Sequence, residues 1–350
     1  MSSNGSKRSI AVIGLACWYP GASTPLQFWE NSLARRRQFR QIPDCRLPLS
    51  DYYHPDPSFP DKTYGRRAAL IDGFEFDWAS MRIPFTTFKT TDISHWLALK
   101  TAIAAIADAG YTRQTIPDQR TGVIVGNTLT GEQTRSNTLR MRWPYFKRSF
   151  EQVAKNHGLP ADRIQRLSAT LEHRFKSVFP PVTEDTLAGG LSNTISGRIC
   201  NYFNLTGGGY VIDGACASSL LAVANAAARL VEKDLDLVIA GGVDISLDPF
   251  ELVGFAKTGA LTQGDMTVYD RRGSGFIPGE GCGFVVLKRL KDAQKNKDEI
   301  YAILHGWGIS SDGGNAGITA PSAKGQAQAI KKAYEKAPYG MEELNFIEGH

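Results

Sequence analysis

The sequence has no apolar run approaching the ~18 residues that a membrane-crossing helix requires, so a spanning segment is excluded. Cysteine is scarce: five residues, at 17, 45, 200, 216 and 282, with no CxxC spacing and no neighbouring histidine pair. That scarcity excludes a disulfide framework and a zinc site, predicts no metal, and fits a reducing, cytoplasmic compartment. Neither sign of charge dominates. Forty Lys and Arg against thirty-five Asp and Glu leave +5 over 350 residues, which is no nucleic-acid footprint. Short-period repeats and low-complexity tracts are also missing. With 42% hydrophobic and 21% charged residues, the chain can bury a large core, as two domains or one duplicated fold.

Residues 1–8, made of Ser, Asn, Gly and basic residues, are expected to be a disordered end. Lys7 and Arg8 before IAVIGLAC imitate a short lipoprotein signal ending at Cys17, but the run is brief and a helix-like PLQFWENSLARRR follows it, so a buried strand is predicted. Further glycine-bounded apolar runs recur at 122–126, 210–213, 236–242, 283–290 and 301–309. They read as buried strands. Helical patterns at 95–110, 216–233 and 324–337 alternate with them, which predicts an α/β layered fold. The second of these helices is apolar nearly all round (Leu220, Leu221, Val223, Ala224, Ala227, Ala228, Val231), and is therefore expected inside the protein. Residues 132–182, rich in Arg, His and Glu with two predicted helices, read as an insertion: a solvated face, or else a cap or carrier-docking surface.

GGGYVIDGACASSLLAVANAA, residues 207–227, has the grammar of a nucleophile elbow: a short strand, a turn of small residues, then Cys216 opening a helix. At a helix N-terminus the unpaired N–H groups and the dipole favour a thiolate, and Gly214, Ala215 and Ala217 leave room for an acyl group to approach the sulfur. Against this stands the commoner fate of an intracellular cysteine, an inert buried side chain. The other four have no elbow around them: Cys17 and Cys282 fall in strands, Cys200 on an apolar patch and Cys45 in a loop.

IDGACASSLLAVANAA resembles the active-site segment of β-ketoacyl synthase domains of type I polyketide and fatty acid synthases. IAVIGLACWYPGA, DLVIAGGVD, YDRRGSGFIPGEGCGFVVLKRL and GISSDGGNAGITAPS resemble that family's opening strand, middle strand, glycine-rich loop and second-half loop, in the family's order. GACASSL with GNTLTGEQTRSNTLRMRWPY is most similar to iterative synthases of the enediyne-polyene kind. The resemblance implies a thiolase-like five-layer αβαβα sandwich. Residues 9–290 would form the N-terminal half, carrying the insertion at 132–182, and 291–350 would begin an incomplete C-terminal half. It implies a decarboxylative Claisen condensation in which Cys216 takes an acyl chain from the phosphopantetheine of an acyl carrier protein, and a malonyl-type thioester extends that chain. No cofactor is bound directly. The partners implied are the carrier domain, the other synthase domains and a second copy of the chain, with no nucleic acid. NFIEGH resembles the approach to the family's HGTGT motif, so His350 corresponds to a catalytic histidine, and Thr319 and Pro321 to the acyl channel. Because the chain stops inside that motif, this stretch alone is expected not to condense, and to leave a sheet edge and an apolar face uncovered.

Other residues receive plainer readings. His305 is predicted to be a hydrogen-bonded structural residue. His95, His157 and His173 are assigned to solvated faces and His54 to a loop. Glu280, between glycines, is predicted to cap backbone N–H groups, with a buried loop-positioning acid as the alternative. TTDISHW departs from the family's Asp-Pro-Gln run, and Ser274 from its Asp. Two other functions stay open: a thiolase-like acyltransferase without decarboxylation, and a non-catalytic dimerisation or carrier-docking scaffold.

Overall fold

Glycine-bounded runs of Val, Ile and Leu bury both faces when they form the inner strands of a layered sheet. The computed structural model describes residues 8–245, 247–314, 317–335 and 337–350; apart from Arg8, the predicted disordered end lies outside them. Along the chain come β1 (Ile10–Trp18), α1 (Pro25–Leu33), β2 (Arg40–Gln41), α2 (Leu49–Tyr52), β3 (Arg67–Ala68), α3 (Phe85–Lys89), α4 (Ile93–Asp108) and β4 (Thr121–Gly126). Next are α5 (Glu132–Met141), α6 (Trp143–Asn156), α7 (Ala161–Ser177), α8 (Glu184–Gly190), α9 (Asn193–Phe203) and β5 (Gly209–Ile212). The chain continues through α10 (Ser218–Val231), β6 (Leu237–Asp244), α11 (Pro249–Lys257), β7 (Gly281–Arg289), α12 (Leu290–Asn296), β8 (Ala302–Leu304) and α13 (Ala323–Tyr334).

Six strands form one mixed sheet in the order β5-β4-β6-β7-β1-β8. β4 is parallel to β5 and β6; the remaining pairs are antiparallel. Side chains alternate across it. Val123 and Val125 face a core with Trp96, Leu97 and Leu99 of α4 and Ile195 and Ile199 of α9, whereas Ile124, Val238 and Ala240 face Ala222, Ala226 and Leu230 of α10. The result is an α/β/α stack, three of the five layers expected. β8 extends the edge of this sheet, and the segment after it runs close along α13, with Ser310 donating to the Gly325 carbonyl.

Three expectations need correction. The insertion holds three helices rather than two, because Pro144 in the first turn of α6 has no N–H to carry α5 onward across Arg142. α10 is not enclosed on all sides: one face packs on the sheet, while its outer face is open, with Leu220 73% exposed. An apolar pattern records what a helix could bury, not whether a second layer covers it. His95 is fully buried rather than solvated: Arg198 of α9 donates to its Nδ1 at 3.2 Å and stacks over the neighbouring Trp96, so the first turn of α4 is covered by another helix.

Candidate active site

Cys216 lies at the centre of a single tight turn, Ala215–Ala217, between the end of β5 and the start of α10, and its side chain is exposed. Two observations mark this turn as held rather than relaxed. Ala215 adopts φ +51°, a left-handed conformation that costs a non-glycine residue energy and persists where neighbours impose it. The neighbours are identifiable. Asp213 Oδ1 accepts from the Ala215 N–H at 2.9 Å and from the Thr128 hydroxyl at 2.7 Å, while Ser218 Oγ accepts from the Gly214 N–H at 2.9 Å and donates to the Ala215 carbonyl at 2.6 Å. Asp213 thereby ties the elbow to the loop after β4.

That loop is fixed in turn. Asn127 donates through Nδ2 to the Val243 carbonyl at the end of β6, and its Oδ1 accepts from the Ser192 hydroxyl and the Thr130 N–H. Leu129 and Thr130 both have φ near +60°. A glycine is required at the end of β4, since a Cβ on Gly126 would sit 2.5 Å from the Ser218 carbonyl carbon. The first turn of α10 therefore rests directly on the strand ends. Ala217 offers no side-chain cap; instead the turn runs straight into α10, with the Ala217 N–H donating to the Gly214 carbonyl and the Ser218 N–H to the Ala215 carbonyl.

The turn opens into a cavity of about 300 Å³ lined by Tyr19, Asn127, Thr128, Cys216, Asp244 and Glu280, among others. Glu280 is 5% exposed, pairs with Arg46 and accepts from the Ile71 N–H at 2.9 Å. It is both the buried loop-positioning acid and the backbone cap that the sequence offered as alternatives. Burial raises its pKa, and the Arg46 guanidinium opposes that rise. The same carboxylate borders a second cavity of about 820 Å³ with walls of Phe74, Phe76, Phe88, Trp96 and Phe179. Three of the other cysteines are buried to varying degrees, which pushes the thiols of Cys17 and Cys200 up to about 11 and that of Cys282 up to about 12; Cys45 is exposed in its loop.

The other predicted site residues are not brought to this cavity. His350 is exposed, and its carbonyl accepts from the Tyr269 hydroxyl at 3.2 Å. Thr319 and Pro321 are exposed, and neither lines the Cys216 cavity or its neighbour. His305 bonds through Nδ1 with the Ser9 hydroxyl at 3.1 Å, the structural role predicted for it. Sequence reasoning missed Asp213, Thr128 and Asn127. An aspartate followed by Gly-Ala at a strand end is an Asx-turn signal that marks Asp213, but its partner Thr128 lies 85 residues away and has no local signature.

Residues 7–293 match the family model for the beta-ketoacyl synthase N-terminal domain, and residues 301–350 match that for its C-terminal domain. Among curated proteins, the chain is 31% identical over 344 residues to the polyketide synthase PksL of Bacillus subtilis (strain 168), covering 98% of this chain and 7% of that protein. It is 30% identical over 342 residues to a polyunsaturated fatty acid synthase chain of Thraustochytrium sp., covering 97% of this chain and 12% of the relative. Among solved structures, the ketosynthase from module 6 of the bacillaene synthase of Bacillus subtilis 168 superposes with a TM-score of 0.73 at 29% identity, over 94% of this chain and 48% of that one. The oxazolomycin ketosynthase domain OzmH KS7 of Streptomyces albus JA3453 has a TM-score of 0.76 at 24% identity, over 94% and 50% respectively, and bears on fold alone. The chain thus spans a small part of its curated relatives and about half of its solved neighbours.

Proposed function

The chain belongs to the β-ketoacyl synthase family and has its thiolase-like fold, and from that membership we propose that it is the ketosynthase portion of a multidomain polyketide synthase, with Cys216 as the acyl-accepting nucleophile. The observation that carries this reading is the elbow: an exposed sulfur on a strained, doubly braced turn at the start of a helix, opening into a cavity. In the first step Cys216 Sγ attacks the carbonyl of a carrier-bound acyl thioester. The new C–S bond replaces the old one, and the cysteine proton leaves with the carrier's thiol. In the second, a malonyl-type thioester loses CO₂, and the carbanion equivalent attacks the acyl-cysteine, forming the C–C bond and breaking the C–S bond to release the Cys216 thiolate, which regains a proton from water. The backbone N–H of the nucleophile itself, Cys216, is the donor assigned to the oxyanion that develops on the acyl carbon. The aromatic-walled cavity beyond Glu280 has the size and the lining to take an acyl chain.

The roles of His350 in decarboxylation and of Thr319 and Pro321 along the acyl path are proposed from resemblance, as are the acyl carrier protein, the homodimer and the cytoplasmic location. No helix among the described residues is long and apolar enough to cross a membrane. The test is mass spectrometry of the full chain after incubation with an acyl thioester: a single acyl adduct on the peptide containing Cys216, absent from Cys216→Ala, is expected. An adduct that survives the substitution overturns the assignment. In the multidomain synthase, a condensed product that requires a malonyl thioester separates the condensing enzyme from a plain acyltransferase.

A further inference from the structure

On the face of the sheet opposite α10, a cavity of about 370 Å³ lies between the 81–87 segment, α4, the turn after α4, and α9. Three guanidinium side chains line it, Arg82, Arg113 and Arg198, together with Trp96, Leu99 and Tyr202. Three partly buried arginines elsewhere pair with carboxylates: Arg46 with Glu280, Arg135 with Asp248, and Arg289 with Asp236 and Asp292; Arg140 instead donates to backbone carbonyls. Arg82, Arg113 and Arg198 take part in no ion pair among the described residues.

Arg198 shows most clearly what this leaves undone. Its guanidinium is half-buried, donates through Nε to His95 Nδ1 at 3.2 Å and through a terminal nitrogen to the Thr91 hydroxyl at 2.9 Å, and stacks 4.8 Å over the Trp96 ring. None of these groups carries negative charge. The imidazole of His95 is neutral, since burial and then the adjacent Arg198 push its pKa down to about 3. The carboxylate whose charge reaches Arg198 is Asp185, which is itself engaged by the Thr87 hydroxyl at 2.8 Å. Arg113 is oriented in a similar way, 4.9 Å over the ring of Tyr202. Aromatic faces hold a guanidinium in place without neutralising it, so the forks of Arg113 and Arg198 are pre-oriented, with Asp185 acting on Arg198 from a distance and not paired with it.

We propose that this cavity binds a phosphate monoester, the phosphoryl group held by Arg82, Arg113 and Arg198 and an apolar or ring-shaped body resting on Trp96, Leu99 and Tyr202. Three cations complement a dianion better than a carboxylate, guanidinium forks match phosphate oxygens bidentately, and the volume lies within the range of small-molecule sites. The site lies apart from the Cys216 cavity at the strand ends, although Trp96 also walls the larger cavity beyond Glu280.

Thermal unfolding of the full chain at constant ionic strength tests this, with phenyl phosphate, inorganic phosphate and benzoate as probes. Phenyl phosphate is expected to raise the midpoint saturably and further than either of the others, as selective binding to the folded state requires. Arg198→Gln and the exposed Arg113→Gln should each weaken its apparent affinity at least tenfold, whereas Arg163→Gln on α7 should leave it unchanged. If Arg198→Gln does not fold, Arg113→Gln decides. A full response in Arg113→Gln, or no saturable shift in the parent chain, overturns the site. Benzoate matching phenyl phosphate overturns the phosphate assignment, and inorganic phosphate matching it overturns the monoester assignment.

Discussion

The two faces of the six-stranded sheet are covered on different terms. On one, α4 buries large side chains, Trp96, Leu97, Leu99 and Ile106, in a single core with both α9 and the strands. On the other, α10 buries mainly alanines, Ala222, Ala224, Ala226 and Ala227, and leaves its outer side open. Small residues let α10 settle close to the strand ends, which puts Cys216 at the mouth of a cavity rather than beneath a layer of hydrocarbon. The difference separates two tasks: the α4 face supplies most of the apolar stabilisation, and the α10 face supplies access to a reactive side chain.

The strongest way to break that division is to empty the α4 face. Trp96 is 2% exposed and stacks on Phe76, so Trp96→Ala should cost about 3–5 kcal/mol of unfolding free energy by chemical denaturation, against less than about 1 kcal/mol for Cys216→Ser. Equal losses from the two would mean that stability is not concentrated where the large side chains are.

A second effect on the same face depends on pH. His95 has its pKa lowered to about 3 in the folded protein, below the ordinary value of 6.5. The unfolded chain therefore binds this proton first as pH falls. The stability His95 contributes is fully present above pH 6.5 and is lost on descending from there towards 3, by up to about 1.4 kcal/mol per pH unit. His95→Gln should flatten the acid limb of a stability-versus-pH curve measured between pH 7 and 4. Superimposable limbs would mean that the imidazole titrates alike in the folded and the unfolded chain.

These residues also show how far the sequence can be read. The strands are legible because their apolar runs are continuous and bounded by glycine, and Cys216 because small residues and a helix pattern surround it locally. His95 is misread because its neighbours in sequence look like a polar helix start, whereas the Arg198 side chain that contacts it comes from α9, 103 residues further along. The brace on the elbow is invisible for a related reason: Asp213 and Thr128 meet only once β4 and β5 pair. On the α10 face, then, the sequence reveals the nucleophile and hides what holds it. Asp213→Ala should slow acylation of Cys216 and cost about 1–3 kcal/mol, since the Ala215 N–H and the Thr128 hydroxyl both lose their acceptor. Unchanged acylation kinetics would make the brace dispensable.

The smallest expected effect is the sharpest test of the open face. Leu220 sits on α10 two residues into the helix with 73% of its surface exposed, so it makes little use of its apolar area. Replacing it with glutamine removes no buried contact, keeps good helix propensity, and should change stability by no more than about 0.5 kcal/mol by denaturant titration. The same substitution at Leu97 of α4, 1% exposed, would strand a buried amide and cost several times as much. A loss of about 2 kcal/mol or more at Leu220 would mean that another surface covers α10, making the two faces equivalent as cores and leaving Cys216 reachable only through its cavity.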